Sequence, residues 1–192
     1  YGSRISKFIS EPDNGIYDAM NKGIKAATGD IVGILNSDDI FANNHVVSKI
    51  AKLFSHGVDF VYADLTYFKS SDYSRIIRRF SSKNFKTWML RFGITIPHPT
   101  FYVRRELHNK LGLYDTSYRV AADFDMIARF FVNSTQFKRI PEVIVKMRLG
   151  GISTTGIFWI FHQNLEIIKA CKANGIYTNI FMILSKYPSK IM

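Results

Sequence analysis

One cysteine, two tryptophans and five prolines are all that 192 residues hold of these types. Cys171 alone can close no internal disulfide, and no cysteine-based zinc cage can be built from it. A chain so poor in thiols suits a reducing compartment. No uninterrupted apolar run reaches the ~18 residues of a membrane-spanning helix, so none is predicted. No secretory-leader pattern opens the sequence, because Arg4 and Lys7 precede no apolar block. Internal repeats and low-complexity segments are absent. Acidic residues are also few, 15 against 26 Lys and Arg, for a formal net charge of +11. Apolar side chains, by contrast, are plentiful. With 47% hydrophobic and 15% aromatic residues the chain can bury a core, which excludes a disordered tail or a collagen-like repeat. The length suits one domain of ordinary size, or slightly more.

The positive charge is lopsided. Residues 1–68 carry six basic and eight acidic side chains; residues 69–192 carry twenty and seven. The densest stretch, 69–91, sets seven basic residues, Arg75, Arg78 and Arg79 among them, against Asp72 alone. Such a block can meet nucleic acid, anionic lipid or a phosphorylated ligand, or it can be a solvated face. Nucleic acid ranks last: zinc-finger spacing and an aromatic RNA-reading signature are both missing.

Strand-like and helix-like segments alternate. Residues 16–27 read as a helix, with Asp18 in its first turn and Thr28-Gly29 ending it. Ile31 to Leu35 is a continuous apolar run, predicting a fully buried strand that stops at Asn36-Ser37-Asp38-Asp39. A helix over 44–55 and a strand over 60–68 follow; Ile76 and Ile77 belong to a partly exposed strand or a loop. Residues 100–103 read as a strand leading into a helix over 105–111, and 121–132 as a helix. Pro141 is expected to break 137–149 into two short strands. Two helices, over 158–173 and 177–186, close the chain. The pattern predicts an α/β fold with a mostly parallel sheet flanked by helices. Gly150-Gly151 is the hinge expected to divide a body, 1–151, from a C-terminal helical appendage, 152–192.

Two acidic clusters carry chemical meaning. Asp38 and Asp39 follow a strand directly, where open α/β sheets place ligands. Adjacent carboxylates repel unless a cation or hydrogen-bond donors compensate them. A hard divalent ion takes one or two carboxylates plus substrate phosphates. The competing reading is a plain turn capped by Asn36, Ser37 and Asp38. Asp123 and Asp125 open a helix; two residues apart, they point to different sides. One can face a site while the other complements the helix N-terminus, or both can be ordinary first-turn acids. A metal-held diphosphate leaving group plus a separate carboxylate base would equip the chain for displacement at a sugar carbon.

Several segments, in order, resemble one family. Residues 13–24, Asp-Asn-Gly-Ile-Tyr-Asp-Ala-Met-Asn-Lys-Gly-Ile, are followed by Thr28-Gly29-Asp30 and Leu35-Asn36-Ser37-Asp38-Asp39. Pro97-His98-Pro99-Thr100-Phe101, Ala122-Asp123-Phe124-Asp125 and Gly150-Gly151-Ile152-Ser153 come next. Together they resemble bacterial family 2 glycosyltransferases of the GT-A fold, which invert the configuration of nucleotide-activated sugars. The resemblance implies that Asp38 and Asp39 contact a divalent cation, Mn²⁺ or Mg²⁺, and the donor, with Asn36 and Ser37 beside them. The family often has an acid where Asn36 stands. Asp13, Gly15, Tyr17 and Asn21 match the segment lining the nucleotide side. Asp123 matches the catalytic base, and His98 and Thr100 lie on the acceptor side. The family has a strand and a nucleotide-binding loop ahead of the matched region, so the resemblance implies that the first strand of the fold is missing here.

The function implied is sugar transfer from a nucleotide-sugar, by family frequency a UDP-sugar, in cell-surface polysaccharide synthesis. The expected acceptor is a polyprenyl-diphosphate-linked saccharide, with peripheral contact to an anionic membrane and a cytoplasmic location at its inner face. The apolar tail residues, Trp159, Phe161 and Phe181 among them, lie near Lys169, Lys172, Lys186 and Lys190, and can serve that contact or pack on the body. The competing reading is a non-catalytic remnant that binds a sugar lipid or a partner.

Overall fold

In a computed structural model of the chain, residues 5–69, 72–149 and 157–187 are described. Helix α1 spans Ile16–Ala26 and α2 Val46–Phe54; α3 is Arg105–Leu111 and α4 Ala122–Asn133; α5 is Ile157–Ala173 and α6 Ile180–Leu184. Six strands form one sheet: β1 (Ile31–Gly33), β2 (Ile40–Phe41), β3 (Phe60–Lys69), β4 (Asp72–Phe80), β5 (Tyr102–Arg104) and β6 (Phe137–Arg148). The order is β1-β5-β3-β6-β2, with β4 pairing the far half of β3.

The α/β class stands, but the sheet is mixed rather than mostly parallel. Only β3 and β6 run parallel; β1–β5, β3–β5, β3–β4 and β2–β6 are antiparallel. Apolar content marks a strand without fixing its direction, and here β2, β4 and β5 are laid antiparallel beside the β3–β6 pair. The run at Ile31–Leu35 is not fully buried: Val32 is, whereas Gly33 and Leu35 are exposed. Among the described strands, β1 pairs only with β5. Gly33 stands opposite Tyr102, and the Tyr102 ring covers it so closely that a Cβ there would lie 2.1 Å from the ring. A glycine is needed because the ring occupies the space a side chain would take.

Strand β3 organises the core because both its faces are buried. Phe60 and Tyr62 face α4 and α5, packing with Phe130, Phe131, Ile167 and Cys171. Val61, Ala63 and Leu65 face α2, with Val46, Ile50 and Phe54. Residues 137–148 form one strand and not two. The pairing of β6 with β3 slips after Ile140, past Pro141 and Glu142, to set Val143 opposite Asp64, then slips once more past Ile144 and runs regularly from Val145 opposite Leu65. A bulge of this kind absorbs a proline, which has no N–H to give the ladder. Residues 76 and 77 lie in β4, both exposed.

The boundary at 151–152, the Gly150-Gly151 hinge and the 150–153 motif lie outside the described residues. Beyond them, α5 and α6 share the core of α4 through Ile167, Ala170, Cys171 and Ile183. Burial pushes the Cys171 thiol up to about 11, so it is a packed, unreactive group.

At the β3–β6 slip, Asp64 is fully buried and accepts from Arg139 (2.7 Å), Arg79 (3.0 Å), and the N–H and hydroxyl of Ser82 (2.9 and 3.0 Å). Burial raises the carboxyl, but these donors outweigh it and hold it down to about 2. Its stabilising effect is therefore complete above pH ~4 and is lost as pH falls toward ~2, a swing of about 2 kcal/mol. Denaturant unfolding across that range should show Asp64→Asn less stable at neutral pH and without this acid-dependent step. A step of the same size in the variant would contradict the assignment.

Candidate active site

The segments identified from sequence come together in two groups. The first is the turn after β1. Asp39 N–H donates to Asn36 O (3.1 Å), closing a turn with Ser37 and Asp38 at its tip. The two adjacent acids have opposite surroundings. Asp39 is buried, accepting from Asn36 Nδ2 (2.9 Å) and from the Arg148 N–H (3.3 Å) at the end of β6. Burial is the largest influence on its carboxyl and moves it above the usual range. Asp38 and Ser37 are exposed. Asp39 thus pins the turn to β6, and Asp38 presents a solvent-facing carboxylate at its tip. Among the described residues no group of three or more His, Cys, Asp or Glu could cage a metal. One open carboxylate fits a cation shared with a diphosphate, the mode hard Mg²⁺-like ions use, better than a protein-only cage.

The second group surrounds Asp123. Asp123 opens α4 half-buried, its Oδ1 accepting from the Phe124 N–H (2.7 Å). Burial is the largest influence on its carboxyl and raises it. Burial in turn lowers the neighbouring His98 imidazole. His98 Nε2 and the Tyr114 hydroxyl share a hydrogen bond of 2.5 Å. Tyr114 stacks on Tyr17 with ring centres 5.7 Å apart. The Tyr17 hydroxyl donates to Val120 O (2.6 Å), and burial and the Asp123 carboxylate both push its own ionisation up. Asn21 is buried and clamps the Tyr114 backbone, donating to its C=O (2.9 Å) and accepting from its N–H (3.0 Å). The result is a chain of contacts from α1 through Tyr114 to His98 and Asp123.

Other matched positions take structural posts. Thr100 is fully buried, its hydroxyl held between Pro97 O (2.8 Å) and Ala63 O (3.1 Å) while it accepts the Ala63 N–H (3.2 Å). It fixes the turn bearing His98 to β3 and has no surface left for an acceptor. Gly15 caps α1 with φ 112°, a conformation glycine alone adopts readily, and its N–H donates to Asp13 Oδ1 (2.9 Å). Asp18 Oδ2 reaches back to the Asn14 N–H (2.9 Å), the residue before the cap. Asp13 also lines a groove of about 590 Å³ between residues 7–13 and α1, with Lys7, Glu11 and Lys22. Tyr17 and Asn21 lie on the other face of that helix. Asp125 is buried and turned away from Asp123, bridging Arg129 (3.0 Å) and Asn174 (2.8 Å).

Sequence reasoning missed Tyr114, Asp64 and Glu166. Glu166 carried a signal: it is the sole acid after Glu142 and sits among Leu165, Ile167 and Ile168. Its two carboxylate oxygens take three consecutive amides ahead of α4, those of Arg119 (2.8 Å), Val120 (2.9 Å) and Ala121 (2.9 Å).

A sequence profile described as "Glycosyl transferase family 2" matches residues 2–116. The chain belongs to this family. A PGL/p-HBAD biosynthesis glycosyltransferase of Mycobacterium bovis is 32% identical over 156 residues, covering 76% of this chain and 56% of that protein. An uncharacterized glycosyltransferase of Rickettsia typhi is 27% identical over 164 residues, 81% of this chain and 50% of its own length. The chain thus spans about half the length of the curated relatives it matches. Among solved structures, S. aureus TarS 1–349 in complex with UDP-GlcNAc superposes with a TM-score of 0.59 at 14% identity, over 84% of this chain and 48% of that one. This likeness shows the fold. The matched profile ends before Asp123 and Glu166, so the family assignment stands independently of either residue.

The Asn21 clamp can be tested on stability. Asn21→Ala leaves a buried N–H and C=O of Tyr114 unpaired, which should cost about 2 kcal/mol, or roughly 4–8 °C in Tm. A Tm within 1 °C of wild type, on the order of 0.3 kcal/mol by the same conversion, would show the clamp to be dispensable.

Proposed function

We propose that the chain carries the catalytic half of an inverting glycosyltransferase that uses a nucleotide-sugar, with UDP as the nucleotide. The observation that carries this is Asp123, a half-buried carboxylate near His98 in the first turn of a braced helix, its ionisation raised by burial. Family membership and the UDP-GlcNAc and UDP complexes of TarS support the choice of donor. Asp123 takes the proton from the acceptor hydroxyl as that oxygen attacks the anomeric carbon. The bond from that carbon to the diphosphate oxygen breaks, and the nucleoside diphosphate leaves from the opposite face. Asp38 would hold a divalent cation, Mg²⁺ or Mn²⁺, which supplies positive charge to the departing diphosphate. Asp39 and Asn36 hold the turn that presents Asp38.

A base must be deprotonated to act, so the rate should climb with pH through the raised value of Asp123. The acid limb should then lie above the ordinary aspartate value of ~3.9. Asp123→Asn should lower turnover about 10²–10⁴-fold with UDP affinity unchanged. Asp38→Ala should weaken UDP binding only when the cation is present. Wild-type turnover in Asp123→Asn would refute the base assignment, and cation-independent loss in Asp38→Ala would refute the cation reading.

The proposed acceptor is a saccharide on a polyprenyl diphosphate, reached at an anionic membrane surface. None of the described helices is long and apolar enough to cross a membrane. Instead α5 and α6 expose Ile160, Phe161, Leu165, Phe181 and Leu184, with Trp88 and the exposed Arg75 and Arg78 also on the surface. Apolar residues that enter an interface together with basic residues that meet lipid phosphates suit such a surface. The chain should sediment with vesicles containing phosphatidylglycerol, less so in high salt, and Phe161→Ser with Phe181→Ser should reduce it. Equal sedimentation with neutral vesicles would remove the electrostatic part of the reading.

A further inference from the structure

We infer that Glu166, on α5, is a positioning residue for Asp123: its carboxylate fixes the three amides leading into α4 and so sets where the base stands. The inference rests on Asp123 being the base. Helix α4 has no capping side chain of its own, because its N-cap residue is Ala121. The amides of residues just ahead of a helix and in its first turn need an acceptor, normally a local Ser, Thr, Asp or Asn. Here the acceptor comes from a helix some 45 residues further along the chain. Arg119 N–H donates to Glu166 Oε1, and the Val120 and Ala121 N–H groups donate to Oε2, at 2.8–2.9 Å. Burial alone would raise the Glu166 carboxyl; the three amides and the neighbouring His162 outweigh it and keep the group ionised. His162 Nε2 lies 3.0 Å from Glu166 Oε1, one turn back along α5.

The same three residues are held from the other side. The Val120 carbonyl, between two of the clamped amides, accepts from the Tyr17 hydroxyl. Segment 119–121 is therefore fixed through its N–H groups by α5 and through a carbonyl by α1, and Asp123 follows two residues later. A base displaced by about 1 Å can lose on the order of a hundred-fold in rate without loss of substrate binding. A carboxylate that accepts three backbone amides is poorly replaced by Gln, which has one oxygen and no charge, or by Asp, which is shorter.

The test uses the intact enzyme that contains this chain, as wild type, Glu166→Gln, Glu166→Asp and Asp123→Asn. Three quantities are read: turnover against pH, UDP affinity, and amide hydrogen exchange. In Glu166→Gln, exchange at Arg119, Val120 and Ala121 should quicken at least ten-fold, with UDP affinity within two-fold of wild type. Turnover should drop ten- to a hundred-fold, and the acid limb should move to lower pH as Asp123 gains solvent. Glu166→Asp should fall between the two and serves if the Gln variant does not fold. A purely structural role would lower turnover equally at every pH, through the share of folded enzyme, and that result would overturn the inference. Unchanged exchange at 119–121 would do the same. If Asp123→Asn is inactive while both Glu166 variants keep the wild-type profile, only this inference fails. If Asp123→Asn keeps turnover, the proposed base fails and this inference with it.

Discussion

Three consecutive backbone amides pointing at one carboxylate are the constraint on which the candidate site depends. Without Glu166 the segment between α3 and α4 would carry buried N–H groups that nothing local can satisfy, because Ala121 and Ala122 have no polar side chain to offer. The residues conventionally placed at a helix start are missing because a distant side chain takes their post. That substitution ties α5 to the chemistry. It also explains why α5 buries Ile167, Ala170 and Cys171 in the core beneath α4 instead of standing apart.

The second arm of the brace comes from α1. Tyr17 and Asn21 are one helical turn apart, so they share a face, and both address residues 114–120. Tyr114 passes the constraint on: its backbone belongs to Asn21, its ring stacks on Tyr17, and its hydroxyl meets His98. Thr100 fixes the His98 turn to the central strand. The links are hydrogen bonds and one ring stack, buried or half-buried, which is how low-dielectric surroundings are built around a carboxylate.

Much of this was legible in the sequence, and the losses have physical causes. The amphipathic pattern of α1, α2 and α4 and the apolar run of β3 depend on local periodicity, which sequence records directly. Strand direction is set by where the connections lead, so a mostly parallel sheet was expected where four of the five pairings are antiparallel. Pro141 looked like a strand end because the bulge that accommodates it is a property of the pair, not of one strand. At the site, motif order brought Tyr17, Asn21, His98 and Asp123 into view as a set. What each does to the next could not be read, since Asn21 and Thr100 spend their polar groups on backbone partners 93 and 37 residues away. Asp38 and Asp39 look equivalent as letters and differ entirely in burial.

The slip between β3 and β6 gives the chain a fixed parity. From Val145 to Arg148 each residue of β6 has its partner on β3 only because three residues were passed over around Asp64, Pro141 and Glu142 before it and Ile144 after it. Adding or removing one residue there would turn every later side chain of the strand over. It would also carry the Arg148 amide away from Asp39 and loosen the turn that displays Asp38. Length in this stretch is thus under tighter control than composition: a change of side chain is felt locally, whereas a change of count is felt at the far end of the sheet.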